Sequence, residues 1–278
     1  MQKIKLFVVA LGALFALPAL AEDPAVTQHK EDIHAIPASA HTVTSNVSLV
    51  SDYLYRGISQ TGQKPAIQGG FDYAHSSGFY AGVWGSSISW ISDTYTATAG
   101  VSGANNAGVE LDTYLGFKHS FATDFIYDVG YLRYNYPGSY APGATRADTD
   151  EIYGLVGYKW ITAKYSYSLG DTFGVPDARG TDYIDLSANY PLPDTGITLG
   201  VHVGKQKYRG SSAAYVAAGG PSASYTDYKV SVTKDFSGFV LGLTYSNTNA
   251  NGGAGQFYNV LGKDLGRDTL ILSLSRSF

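Results

Sequence analysis

With no cysteine in the chain, its six histidines are the first candidates for chemistry. Thiol nucleophiles, thiolate metal sites and disulfides are excluded from the start. His29 and His34 flank Lys30-Glu31-Asp32-Ile33, a spacing that can touch a metal. The segment has no periodicity to hold the two rings together, so they read as solvated residues. His75 and His119 fall at short turns, and only His41 and His202 lie in or beside extended segments. A serine hydrolase needs a serine, a histidine and an orienting carboxylate in one place. His202 with Ser231 or Ser246 is the one conceivable combination, and no nucleophile-elbow motif supports it. His202 is therefore expected to be a satisfied polar residue. No glycine-rich loop is placed to cradle a phosphate. These residues point to no enzyme, no cofactor and no metal.

Charge spacing carries more. Glu110 and Asp112 are two residues apart, as are Tyr114 and Gly116, while Val109, Leu111, Thr113, Leu115 and Phe117 fill the places between. A two-residue period puts each set on one face of a strand. The same alternation gives one polar face Asp52, Asp72, Glu110, Asp112, Asp128, Glu151, Asp185 and Asp227, opposed by Arg56, Lys118, Lys159, Lys164 and Lys229. Lining a channel, these groups make a mildly acidic wall that favours cations. The competing use of the same charges is a set of internal ion pairs that fills a narrow barrel.

The elements that must position them form a train of alternating segments. Strands are expected near 43–57, 63–75, 79–91, 108–119, 124–136, 150–160, 162–169, 181–190, 196–209, 225–235, 238–248 and 266–278, twelve in all. Five connections are tight, for example His75-Ser76-Ser77-Gly78 and Asp235-Phe236-Ser237-Gly238, with the residues that turns demand. Five are longer and rich in Gly, Ala, Asn and Ser, at 92–107, 137–149, 170–180, 210–224 and 249–265. The first hairpin, around Gly57 to Gly62, is short but takes a long-loop place in the order. Short and long connections otherwise alternate, as in outer-membrane barrels, and a sandwich has no reason to do so.

An even strand count brings both ends of the barrel to one side. A charge facing hydrocarbon near the midplane costs about 2–4 kcal/mol for Lys or Arg, so the charged face must be inside. In the eleventh strand Phe239, Leu241, Leu243 and Tyr245 fall outside, and Val240, Gly242, Thr244 and Ser246 inside. Aromatics gather at strand ends: Tyr53, Tyr55, Trp90, Tyr134, Tyr136, Trp160, Tyr165, Tyr167, Tyr208 and Tyr245. That is the place of interfacial girdles.

Both termini agree. Lys3 and Lys5 precede the apolar run Leu6 to Leu17, and Ala19-Leu20-Ala21 is a small-x-small cleavage site. Residues 1–21 are expected to be a signal peptide cleaved after Ala21. Residues 22–40 are expected to be a disordered periplasmic tail and 41–278 the barrel. The chain closes on Leu270-Ile271-Leu272-Ser273-Leu274-Ser275-Arg276-Ser277-Phe278, apolar on one face with a terminal aromatic. Such an ending suits delivery to the barrel-assembly machinery through Phe278. Composition fits too. The chain has 23 tyrosines, 33 glycines and only 15% charged residues, against about 25% in soluble domains. A formal charge of −4 without a basic run excludes a nucleic-acid binder.

Residues 45 to 90 resemble a known family. The stretch is Ser45-Asn46-Val47-Ser48-Leu49-Val50-Ser51-Asp52-Tyr53-Leu54-Tyr55-Arg56-Gly57-Ile58-Ser59-Gln60-Thr61, followed by Lys64-Pro65-Ala66-Ile67-Gln68-Gly69-Gly70-Phe71-Asp72-Tyr73, Ser77-Gly78-Phe79-Tyr80-Ala81-Gly82 and Trp84. It is similar to the TorF-family porins of Gram-negative bacteria, exported proteins of largely unknown function. Asp52-x-x-x-Arg56-Gly57 is the part tied to family identity. The resemblance implies an outer-membrane location and a pore, and it brings no substrate and no catalytic residue.

The expectation is an all-β chain: one antiparallel up-and-down transmembrane barrel of about twelve strands, with short periplasmic turns and longer extracellular loops. Its expected function is passive passage of small hydrophilic solutes or ions. The alternative is a non-conducting structural, adhesive or enzymatic barrel. Its surroundings would be outer-membrane lipid and lipopolysaccharide.

Overall fold

The computed structural model describes residues 40–99 and 105–278. The expected signal peptide, nearly all of the expected tail, and His29 and His34 lie outside the described residues.

Twelve antiparallel strands close into one barrel. They are β1 (His41–Val50), β2 (Ala66–His75), β3 (Phe79–Ser87), β4 (Val109–Ala122), β5 (Phe125–Asn135), β6 (Thr149–Tyr158), β7 (Ile161–Ser168), β8 (Asp182–Leu192), β9 (Ile197–Lys207), β10 (Tyr225–Phe236), β11 (Phe239–Thr248) and β12 (Thr269–Ser277). Each pairs with its neighbours in sequence, and β12 returns to β1 in a register running from Asn46↔Ser277 to Val50↔Ser273. Closure leaves no strand edge unpaired. The last residue completes the seam: the Phe278 amide donates to the Ser45 carbonyl at 2.8 Å, and the Ser45 amide returns a bond to Phe278 at 3.0 Å.

Alternation sets the two faces as expected. On β12 Leu270, Leu272 and Leu274 point outward, 62%, 57% and 44% exposed, while Ile271, Ser273 and Ser275 are buried inside. On β4 Val109, Leu111, Leu115 and Phe117 face out, and Glu110, Asp112 and Tyr114 face in. The outer surface is thus an apolar belt around a polar interior.

The two ends differ. Tight turns gather at one, the short-turn end. Ser237 and Gly238 there both have positive φ, 57° and 88°, the twist a two-residue hairpin needs. A ring of outward aromatics marks this end. Phe125 packs on Tyr158 at 4.6 Å, Trp160 on Tyr190 at 5.6 Å, and Arg276 lies over Phe239 and Phe278 at 4.3 and 5.3 Å. All the connections at the other, long-loop end are extended. Two carry short helices, α1 (Trp90–Ala99) and α2 (Ser211–Ala217).

The structure corrects three expectations. The first strand does not reach residue 57: it stops at Val50, and residues 51–65 form a long connection. The alternation of short and long connections therefore has no exception. The third strand stops at Ser87, because the next residues open α1. Half of the supposed girdle aromatics are interior: Tyr53, Tyr55, Tyr134, Tyr136 and Tyr208 are at most 8% exposed. Trp160, Tyr165 and Tyr245 do face outward.

Candidate functional site

The connection 51–65 makes the interior. Ser51 keeps one more rung of the ladder, its amide donating to the Leu272 carbonyl and its hydroxyl accepting from the Leu272 amide, at 2.9 and 3.0 Å. The chain then turns into the barrel. Every described residue from Asp52 to Thr61 is buried. Leu54 and Tyr55 pair with Ser59 and Ile58 in a miniature hairpin. Its tip is Arg56-Gly57, with φ of 47° and 80°. Asp52 staples the base: one carboxylate oxygen accepts from the Ser59 and Thr61 hydroxyls at 2.7 and 2.9 Å. Burial raises the Asp52 pKa above its ordinary value, against the lowering pull of those two bonds and of Arg267 and Lys263.

The tip reaches across the lumen. Arg56 donates to both carboxylate oxygens of Glu151 on β6, at 2.7 and 3.2 Å, and to Gln206 on β9 at 2.7 Å. Its guanidinium lies over the rings of Tyr55 and Tyr183, 4.8 and 4.3 Å from their centroids. Both charges are almost wholly buried. Such a pair holds because its geometry is two-pronged and Gln206 and the two tyrosine rings add to it. Tyr53 donates to Glu110 at 2.6 Å and packs edge-on against Trp84, and the Tyr55 hydroxyl donates to Tyr134 at 2.8 Å. Other loops cover the plug: the Gln60 carbonyl accepts from Ser89 and Trp90 at the start of α1, and Lys263 donates to the Gly62 carbonyl at 2.8 Å.

Two further clusters fill the wall below. His202 on β9 sits between carboxylates, Nδ1 at 2.9 Å from Asp185 and Nε2 at 2.8 Å from Asp227. Ser187 and Tyr183 complete this group, with the Tyr183 hydroxyl donating to Asp227. Nearer the short-turn end, the Tyr80 hydroxyl bonds Asp128 and Tyr153, and Lys164 lies over the Tyr153 ring at 4.2 Å.

The interior thus brings together most of the charges selected from the sequence. Asp112 and Lys229 are buried inside, Asp72 accepts from Tyr114, and half-exposed Lys118 approaches the Tyr80 ring. Two placements differ from expectation. Asp52 and Arg56 reach the interior on the inward connection rather than on a strand. Lys159 is not interior: it occupies the β6–β7 turn with φ of 53°, its side chain half exposed and 4.0 Å from Asp124. Its loss leaves the inner wall more acidic.

The serine pairing conceivable for His202 does not form. Ser231 and Ser246 are not among its partners. Its ring nitrogens face Asp185, Asp227 and, at 2.9 Å from Nδ1, Ser187 instead. Among the described residues no group of three His, Asp or Glu side chains could hold a metal ion. Sequence reasoning missed the tyrosines and Gln206. Alternation does place Gln206 with Gly204 and His202 on the inner face of β9, but nothing local marks it as the partner of an arginine 150 residues away.

Solved structures match the chain only at low similarity. Salmonella typhi OmpF, in a complex with daunomycin, is 10% identical with a TM-score of 0.39, over 86% of this chain and 97% of that one. Pseudomonas aeruginosa OprD is 12% identical with a TM-score of 0.35, over 86% of this chain but only 66% of its own. No curated protein matches the sequence. A family model described as "Bacterial protein of unknown function (Gcw_chp)" matches residues 34–278, a span that includes the inward connection and all twelve strands. The segment that resembles the TorF-family porins lies within it. The chain belongs to the Gcw_chp family of bacterial proteins of unknown function.

Proposed function

We propose that this protein is an outer-membrane channel of narrow bore for small hydrophilic solutes, with the first loop folded in as its constriction. The observation that carries this reading is the division of faces: a closed barrel, apolar outside and charged inside. A charge facing hydrocarbon is expensive, so a polar interior of this kind suits a membrane barrel. β1 begins and β12 ends at the short-turn end, which supports a reading with that end toward the periplasm and the long loops outside the cell. A signal peptide cleaved after Ala21 would deliver the chain. Phe278 would be read by the assembly machinery, and phospholipid and lipopolysaccharide would surround the belt.

Bore follows from strand number and filling. Eight strands give a solid interior and sixteen an aqueous channel, and here twelve strands enclose an inward loop. Toward the periplasm the inner residues Asn46, Asp72, Lys118, Asn189 and Ser231 are half exposed, as the wall of a vestibule would be. The acid excess of the wall favours cations among any ions that enter.

A second reading has its own observation. Glu110, Asp112, Glu151 and Asp227 are at most 1% exposed, the packing of a permanently closed structural barrel. Uptake of small hydrophilic solutes by proteoliposomes separates the two. The channel reading expects uptake above that of protein-free vesicles. Uptake equal to theirs, from correctly folded protein, leaves the structural barrel.

A further inference from the structure

The inner wall is not uniform. β2 to β10 carry the tyrosines, the carboxylates and the tip contacts of Arg56. β11 and β12 carry small hydroxyls instead. Thr244 and Ser246 follow one another on the inner face of β11, and Ser273 faces inward from β12 opposite Gly242. All three are at most 2% exposed, and their hydroxyl oxygens have no hydrogen-bond partner among the described residues. Buried hydroxyls are nearly always bonded, and where protein supplies no partner an ordered water or a ligand usually does. A cavity of about 10 Å³, room for one water, opens beside Thr244. Its lining includes Ser187, Asn189, His202, Lys229, Ser231 and Thr244. Asn189 and Ser231 in turn are half exposed toward the short-turn end. The row meets the cavity at Thr244, and the cavity meets the vestibule at Asn189 and Ser231, on one side of the barrel.

The plug tip caps the other end of this seam. A Cβ on Gly57 would lie 2.6 Å from Cγ2 of Thr248 and 2.8 Å from Cβ of Asp227. Thr248 is the next inward residue after Ser246 on β11, and Asp227 pairs with it across β10. The loop backbone sits directly on the upper end of the hydroxyl row.

We propose that this hydroxyl seam, running past Ser273, Thr244 and Ser246 between β10 and β12, is the route of permeation, and that it takes small uncharged polar solutes. The inference rests on the channel reading above and names its path and substrate class. A hydroxyl both donates and accepts, so a row of them replaces the hydration of an uncharged polar molecule one bond at a time. The seam hydroxyls bring no charge to draw an ion out of water. His202 and Lys229 line the cavity beside Thr244, and His202 is held there between Asp185 and Asp227.

Glycerol and urea are the probes, with influx into proteoliposomes followed by light scattering. Ser273→Leu puts a branched apolar side chain into the seam. Ser166→Leu makes the same change at an equally buried, unpartnered hydroxyl on β7, off the seam. Ser273→Leu should reduce glycerol and urea influx to the level of protein-free vesicles, and Ser166→Leu should keep wild-type rates. Thr244→Val preserves shape and removes one hydroxyl; it should slow glycerol entry even if the leucine variant fails to fold, folding being scored by heat-modifiable gel migration. Wild-type influx in folded Ser273→Leu and in Thr244→Val, or equal loss in Ser166→Leu, overturns the seam and leaves the channel standing. Wild-type protein that passes neither probe nor any other small solute overturns the channel, and the seam with it.

Discussion

Arg56, at the tip of the inward loop, holds Glu151 on β6 through a two-pronged ion pair of 2.7 and 3.2 Å across 95 residues of sequence. Nothing in the ladder hydrogen bonds requires the loop to be inside. The pair, the stacking of Arg56 on Tyr55 and Tyr183, and the bond from Tyr53 to Glu110 hold it there.

Removing one partner should therefore release the loop without opening the barrel. Glu151→Leu leaves the guanidinium buried without its partner, which costs about 3–5 kcal/mol. Limited proteolysis should cut within residues 52–65 of this variant and spare the wild type, while heat-modifiable migration persists. Pairing Glu151→Leu with Arg56→Met removes the stranded charge and should restore much of the protection. Equal resistance of wild type and Glu151→Leu would show that the pair does not hold the loop.

The loop should dock more firmly in acid. Burial raises the Asp52 pKa, so the docked form binds its proton more tightly than the released, solvated form. Docking is then weakest above the raised value. It strengthens as pH falls through it, and the gain is complete below the ordinary carboxylate value of 3.8. Amide exchange of residues 53–61 should slow, after correction for intrinsic rates, between pH 7 and pH 4. Asp52→Asn should flatten the dependence. Faster corrected exchange in acid would contradict the sign.

The belt makes a thermodynamic prediction. Leu243, mid-strand on β11, faces outward, and its neighbour Thr244 faces in. Leu243→Arg should destabilise folding into bilayers by about 2–4 kcal/mol. Urea titration in lipid vesicles measures the difference. A change under about 0.5 kcal/mol, the range of ordinary surface substitutions, would place that face in water.

Orientation can be read by cysteine labelling, since the chain has no native thiol. Gly253 and Ala214 are exposed at the long-loop end, and Ser77 and Ser237 at the short-turn end. Impermeant maleimide on intact cells should label cysteines at the first two positions only. Asn105, though in a long loop, is a poor probe because it is buried and accepts a bond from the Ala141 amide. Labelling of the second pair alone would invert the topology.

The sequence shows the barrel more plainly than the site. Strand faces are legible because a lipid-facing strand must alternate, as Leu272 and Ser273 do. The inward loop is not, because Tyr53, Tyr55 and Gly57 continue the alternation of β1 past Val50 while the backbone leaves the ladder. Period tells which residues share a face and says nothing of which partner strand receives them. The same ambiguity misplaced the aromatics: a tyrosine at a strand end suits an interface and a lumen equally. Lys159 keeps the alternation of β6 but lies one residue past its end, in a turn of positive φ.

Single-channel recording of the wild type beside Gly57→Val tests the central claim, that the loop at Arg56-Gly57 constricts a channel. Gly57 has φ of 80°, and its Cα faces Thr248 and Asp227 with no room for a Cβ. Valine there is strained and collides, so the tip cannot seat, while the strands are untouched. The account predicts small, infrequent steps from the wild type and clearly larger ones from Gly57→Val. Identical traces from the two proteins, or silence from both with the barrel folded, would contradict it.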